Sequence, residues 1–293
     1  MSFTHAGYHV LRGTNSGSFG AFRCGTILDR FSQIDMLHVD IWWKGQNVLT
    51  DGGSYRYNGA TPWHNYFLRT EGHNTVKIDG RDQMLHFRQF KTLYWTEAKL
   101  LSFHDTPAWA LTEGEHYGYQ RERKCTHRRS ILFLKDDLWV CVDTVIGSGD
   151  HSASLQWLCG EFPQEFDAGC SELTLATPEG PFSITILNEK AEPYAGVDVV
   201  VGQESPPRGW LSRYYGQKTP VPSLAATVAG SLPLTLVSIL AGGKAVARLS
   251  PSKAVGSAGQ GETWTVDTDS LSTSFRLVEG RFQDIEVRTG QPQ

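Results

Sequence analysis

Cysteine is scarce and poorly placed for chemistry. The five residues, Cys24, Cys125, Cys141, Cys159 and Cys170, are widely spaced and odd in number, and no CxxC pair occurs. That argues against a zinc knuckle and a full disulfide framework. Most are expected to be buried core thiols, with room for one disulfide. Long apolar runs are also missing, so no membrane insertion is expected. The opening residues, MSFTHAGYHVLRG, lack the basic-then-apolar layout of a signal peptide. Positive charge is not in excess: 27 Lys and Arg face 31 Asp and Glu, giving a net charge of −4. This removes the electrostatic case for nucleic acid. No helical stripe of ten residues and no repeat period is visible.

What is present is strand and turn. Short alternating runs begin at Tyr8 and Phe19, and Met36–Trp43 with Val48–Thr50 reads as a hairpin turning at Lys44-Gly45. From Thr92 to Ile146 the strands lengthen, with Lys135-Asp136-Asp137 as a turn between two of them. Short strands with regular turn signals continue to Ile285–Arg288. The fold class is all-β: a large multi-stranded antiparallel β-sandwich, a super-sandwich with few or no helices, spanning 1–293 as one domain.

Chemistry concentrates between Phe31 and Met84, which hold three histidines, six carboxylates, three tryptophans and three tyrosines. On a strand His38 and Asp40 share a face. Such a pair is an oriented base, a ligand pair or a structural hydrogen bond. Asp51 follows the second hairpin strand and so lies across from His38, although aspartate before Gly-Gly is also a turn cap. His73-Asn74 opens the next strand and can ligate a metal, accept a proton or close a turn. The long loop from Ser54 to Gly72 carries Tyr55, Tyr57, Trp63, His64, Tyr66 and Arg69. Aromatic planes suit the apolar faces of sugar rings, and arginine suits a uronate or sulfate; ordinary loop packing is the alternative. A second mixed cluster, HYGYQRERKCTHRR at 116–129, reads more as a solvated strand face than as a polyanion contact.

The pieces AGYHVLR, DMLHVDIWWKGQNVLTDGGSYRYN and FLRTEGHNTVKIDGRDQM occur here in order. This segment resembles the C-terminal β-sandwich of the heparinase II/III-like polysaccharide lyases, most specifically over 6–85. The resemblance implies β-elimination on uronic-acid polysaccharides, and a substrate cleft between the sandwich and a helical toroid. No helical region precedes Ala6, so the toroid is expected upstream on a longer chain or in trans. The family pattern His-x-His-x-Asp, aligned on Asp35 and Gly45, places its histidines on Phe31 and Gln33. Asp35, Asp51, His73 and Asn74 match.

Beside this resemblance, the residues expected to be catalytic are His73, which matches, and His38, which shares the hairpin strand but no matching position; Tyr57 donates a proton where the toroid's tyrosine is missing. Trp63, His64, Arg69 and Asn74 bind substrate. Asp51, His73 and Gln33 hold one divalent metal, zinc or calcium. The expected partner is an anionic polysaccharide, with no nucleic acid and no membrane insertion, in the cell envelope or periplasm. The alternative is a non-catalytic carbohydrate-binding or assembly module, favoured by Phe31 and Gln33 at the histidine positions.

Overall fold

In the computed structural model the described residues are 1–13, 17–27, 33–88, 91–243, 248–252, 262–268 and 271–289. The long strands of the middle third form the central layer. It is an eight-stranded sheet with the spatial order Gln164–Asp167, Glu172–Thr177, Gly180–Leu187, Leu234–Gly242, Leu138–Gly147, Cys125–Leu134, Trp109–His116 and Ala98–Asp105. Every neighbouring pair in it is antiparallel.

These central strands are apolar at nearly every position because both faces of the sheet are covered. Side chains alternate between faces along a strand. Ile131, Phe133, Trp139, Cys141, Leu236 and Leu240 therefore enter one core, while Leu132, Leu134, Leu138, Val140, Val237 and Ile239 enter the other. The second core is closed by Trp264, Val266, Phe275 and Phe282 from the last four strands, Arg248–Ser252 to Arg281–Thr289. The first is closed by two smaller sheets. One is five-stranded and ends in the hairpin Val39–Trp43 and Gln46–Leu49. The other is four-stranded and includes Asp150–Leu158 and Val76–Ile78. The result is three stacked layers, an all-β sandwich as expected.

The two smaller sheets meet along a seam. Leu49 bridges to Cys159, and Thr50 N–H donates to the Leu158 carbonyl at 2.9 Å. Asp51 follows immediately on one side of this seam, and His73 lies three residues before Val76 on the other.

Helix is confined, among the described residues, to the single turns Trp63–Tyr66 and Gln120–Arg123 and a 3-10 turn at Thr70–Gly72. None is long and apolar enough to cross a membrane. The turn Trp63–Tyr66 interrupts the long loop, which is pinned by its own rings: Tyr66 and Phe67 are buried with Trp210, and Tyr55 and Trp63 pack against them. Four of the five cysteines are buried, Cys170 is exposed, and all are free thiols.

The 116–129 segment corrects the sequence reading. His116, His127 and Arg129 are each 0% exposed rather than solvated. The register explains it, because 127 and 129 share parity with Ile131 and Phe133, which face the first core. Arg128, on the opposite face, pairs with Glu115 at 2.9 Å. Burial, aided by the charges of His127 and Arg129, pushes His116 well below its ordinary value. Burial likewise lowers His127, although Asp143 opposes the shift. The unfolded chain protonates these rings below about pH 6.5 and the native chain resists, so their contribution is complete above that pH and is lost as pH falls. We expect wild type to lose stability relative to His116→Gln as pH drops from 7 to 5, by roughly 2 kcal/mol at pH 5. Parallel thermal melts of both proteins check this; equal pH slopes would show that His116 is charged in the fold.

Candidate active site

Three segments distant in sequence bring His38, Asp51 and His73 together, with donor atoms all within 4.8 Å of one another. Each is placed by backbone. His38 leads into the strand Val39–Trp43, after Leu37 in the left-handed region at φ 60°. A non-glycine residue there is costly and needs external support. Support comes from Arg129, whose Nη1 donates to the Leu37 carbonyl at 2.7 Å and the Asn74 carbonyl at 2.5 Å. One buried guanidinium thus ties the residue before His38 to the residue after His73. Arg129 is itself held by Asp143, at 2.8 Å from Nε and 3.0 Å from Nη2. Burial alone would raise the Asp143 carboxyl, but Arg129 and His127 hold it low.

Asp51 owes its position to two glycines. A Cβ on Gly52 would sit 2.9 Å from the Gly72 carbonyl, and one on Gly53 would sit 2.1 Å from the Ser212 carbonyl. Gly53 also has φ 81°, where only glycine is relaxed. Asp51 Oδ1 accepts the Gly53 N–H at 2.7 Å, so it is a turn cap as well. Its Oδ2 meets His73 Nδ1 at 2.6 Å and lies 3.9 Å from His38 Nε2. Asp40 Oδ2 lies 3.5 Å from the same His38 nitrogen.

The electrostatics follow. Burial pushes Asp51 up, yet the charges and hydrogen bond of His73, with His38, bring it down to about 2. Burial lowers His73, but the Asp51 carboxylate outweighs it and the net shift is upward. The two form an ion pair whose carboxylate reaches solvent, its side chain 34% exposed, while the His73 side chain is 0% exposed. His38 is 6% exposed. Asn74 N–H donates to His38 Nδ1 at 2.9 Å, so that nitrogen carries a lone pair and the neutral ring keeps its proton on Nε2.

Several expectations shift on this geometry. Asn74 is corrected from a substrate contact to a fastener. It is fully buried, its amide donates to Val39 and Thr50 carbonyls at 3.1 Å each, and its oxygen accepts Leu158 N–H at 2.6 Å. His73, sealed behind Asp51, offers no surface to a substrate, so a direct catalytic contact is corrected to an orienting or ligand role. Gln33 donates to the Gly53 carbonyl at 3.3 Å and Ser54 Oγ at 3.4 Å, and His38 completes the cluster in its place. Phe31 and the His64 side chain lie outside the described residues.

The remaining loop groups are placed less centrally. Tyr57 is 59% exposed, with its ring 5.8 Å from Tyr215. Trp63 packs edge-on to Trp210, with Lys218 Nζ 3.6 Å from its ring centre. Arg69 Nε faces Asp82 at 3.4 Å.

By donor type the His38, Asp51 and His73 set fits zinc, which favours few nitrogen and oxygen ligands, and not calcium, which needs six or more oxygens. The Nε2 atoms of both imidazoles are buried without a hydrogen-bond partner. Ligation through His38 Nε2 would require its proton to leave and the Asn74 N–H to lose its acceptor, a cost of about 1–3 kcal/mol. That is below typical zinc affinities of roughly 10 kcal/mol or more.

Residues that sequence reasoning missed are the buried supports: Arg129, Asp143 and Gln83. Gln83 Oε1 accepts Met36 N–H at 2.8 Å, and its Nε2 donates to the Met36 carbonyl at 2.9 Å. Strand parity could have flagged Arg129; nothing local marks Gln83.

Removing Arg129 would strand a buried carboxylate and two carbonyls. We expect Arg129→Met to cost about 3–5 kcal/mol and lower Tm by on the order of 10 °C. Calorimetry checks this; a drop within 2 °C would show that the clamp contributes little.

The Heparinase II/III-like, C-terminal family matches residues 1–267. A curated relative, the heparin-sulfate lyase of Bacteroides stercoris, is 29% identical over 121 residues, 40% of this chain and 16% of the relative. A solved heparinase III gene product superposes with a TM-score of 0.73 at 17% identity, over 99% of this chain and 42% of its own. The heparan sulfate lyase HepC from Pedobacter heparinus gives 0.69 at 15% identity, over 98% and 42%. At these identities the structures show a shared fold. The chain spans less than half the length of each of these relatives.

Proposed function

This chain belongs to the Heparinase II/III-like C-terminal family, and from that premise we propose that it forms the β-sandwich wall of a lyase cleft for uronic-acid polysaccharides. The reaction is β-elimination. The uronate carboxylate is neutralised, a base removes the C5 proton, and an acid protonates the departing glycosidic oxygen. The observation that carries the reading is the meeting of His38, Asp51 and His73 at the sheet seam, with the Asp51 carboxylate open to solvent.

Each residue has a part. His38 Nε2–H is a hydrogen-bond donor for an anionic substrate group, held in that tautomer by Asn74 N–H. His73 orients Asp51 from behind. The implied toroid closes the cleft from the other side, and the exposed Tyr57 is the proton donor where that toroid brings no tyrosine of its own. Trp63 and Arg69 line the approach of the sugar, and His64 is a sugar contact on the sequence reading alone. In place of its hydrogen-bond donor role, His38 with Asp51 and His73 would hold a zinc-type ion, which when bound supplies positive charge beside the uronate. The setting is the cell envelope or periplasm.

The test is absorbance of the unsaturated product from uronate polysaccharides, using protein that includes its helical domain. His38→Ala and Asp51→Asn should each lower product formation about 100-fold or more. Full activity in either variant, or no product on any uronate polymer, overturns the reading. For the metal, zinc added to chelator-stripped protein should raise Tm more at pH 8 than at pH 5.5, because binding must displace protons. His73→Ala should abolish the rise, and no rise in wild type rejects the ion.

A second reading is a non-catalytic glycan-binding module. The near-complete burial of both imidazoles favours it. Glycan binding without product, unaffected by His38→Ala, would establish it over the first.

A further inference from the structure

We propose that an arginine-lined pocket beside Asp82 is a second site, binding a sulfate or carboxylate group of an anionic glycan; this rests on the reading that the substrate is such a polymer. The pocket holds about 180 Å³, and Arg69, Arg81, Asp82, Tyr94, Arg121 and Arg123 are among its lining residues. Four guanidinium groups there face the carboxylates of Asp82 and Glu122, in a chain whose net charge is −4.

Two of the four guanidiniums carry a counter-charge: Arg69 Nε lies 3.4 Å from Asp82 and Arg123 Nε 3.4 Å from Asp79, and each of these Nε atoms is buried without a hydrogen-bond partner. Arg121 stacks on Tyr94, with Cζ 3.5 Å from the ring centre. A stacked guanidinium keeps its N–H groups in plane, where they can take an oxyanion side by side. Arg81 is exposed and has no side-chain partner among the described residues.

The surroundings suit a sugar rather than a free ion. Tyr94 is 48% exposed and Phe87 is 61% exposed, with Lys91 Nζ 5.6 Å from the Phe87 ring centre. Flat apolar rings interleaved with cations match a polymer with C–H faces and regularly spaced anions. The volume lies below the roughly 300 Å³ of an ordinary ligand pocket, which suits one charged group and not a whole disaccharide. Gln83 separates this pocket from the first site: it lines the pocket, while its side chain holds Met36, two residues before His38.

The experiment is titration of size-defined heparin oligosaccharides, and their desulfated counterparts, into wild type, Arg81→Gln/Arg121→Gln and Tyr94→Ala, with melts confirming that each is folded. Affinity should fall roughly tenfold in the double variant, the loss expected for removing charge-assisted pairs. Tyr94→Ala should move in the same direction. A desulfated oligomer that loses affinity assigns sulfate, and one that keeps it assigns carboxylate; both support the site. Binding within twofold of wild type in the double variant, or equally tight binding of inorganic sulfate alone, overturns it. Product absorbance is read separately. Product with arginine-independent binding sinks only this pocket, and arginine-dependent binding without product sinks only the lyase reading.

Discussion

A single ion pair, Arg129 with Asp143, holds the candidate site in place. Burying a guanidinium costs several kcal/mol unless its donors are satisfied. Here two nitrogens take the Asp143 carboxylate and the third reaches two carbonyls on different segments. The Trp157 ring lies 5.0 Å from the charged carbon. The desolvation cost is offset only when all these partners are present together, so the clamp works as a unit. Its geometry reaches His38 and His73 through the backbone and touches neither ring.

Around that clamp the fold supplies fasteners in pairs. Asn74 bonds to the residues at both margins of the hairpin and to the strand Asp150–Leu158, closing the seam that the sheets alone would leave open. Gln83 grips both polar groups of the Met36 backbone. The site is thus over-determined by buried polar side chains, while Asp51, which with Asp40 reaches solvent beside His38, sits on a turn only glycines can make. Rigid support behind and open carboxylates in front is the arrangement a preorganised charged site requires.

Much of the architecture was legible in the sequence, and the reason is period. Alternation gives strands, and unbroken apolar runs such as Ile131–Leu134 and Leu138–Val142 give a sheet covered on both faces. The pairing of Asp51 with the His38 region also followed from hairpin geometry. What did not follow was burial of polar groups. Asn74 and Arg129 look exposed by residue type, and only long-range contacts show that every polar atom of the Asn74 amide is used. Parity alone placed Arg129 inward, against the pull of its charge and its cationic neighbours. The choice of His38 over Gln33 likewise depended on a left-handed residue, Leu37, that no local propensity announces.

Gly53 carries a practical consequence. Its missing side chain admits the Ser212 carbonyl, and Ser212 N–H donates to the Gly52 carbonyl at 2.8 Å. The Asp-Gly-Gly step is therefore locked to a stretch of chain far downstream. Anyone transplanting this constellation onto another scaffold would have to carry that docking partner along, or the carboxylate would arrive without its anchor.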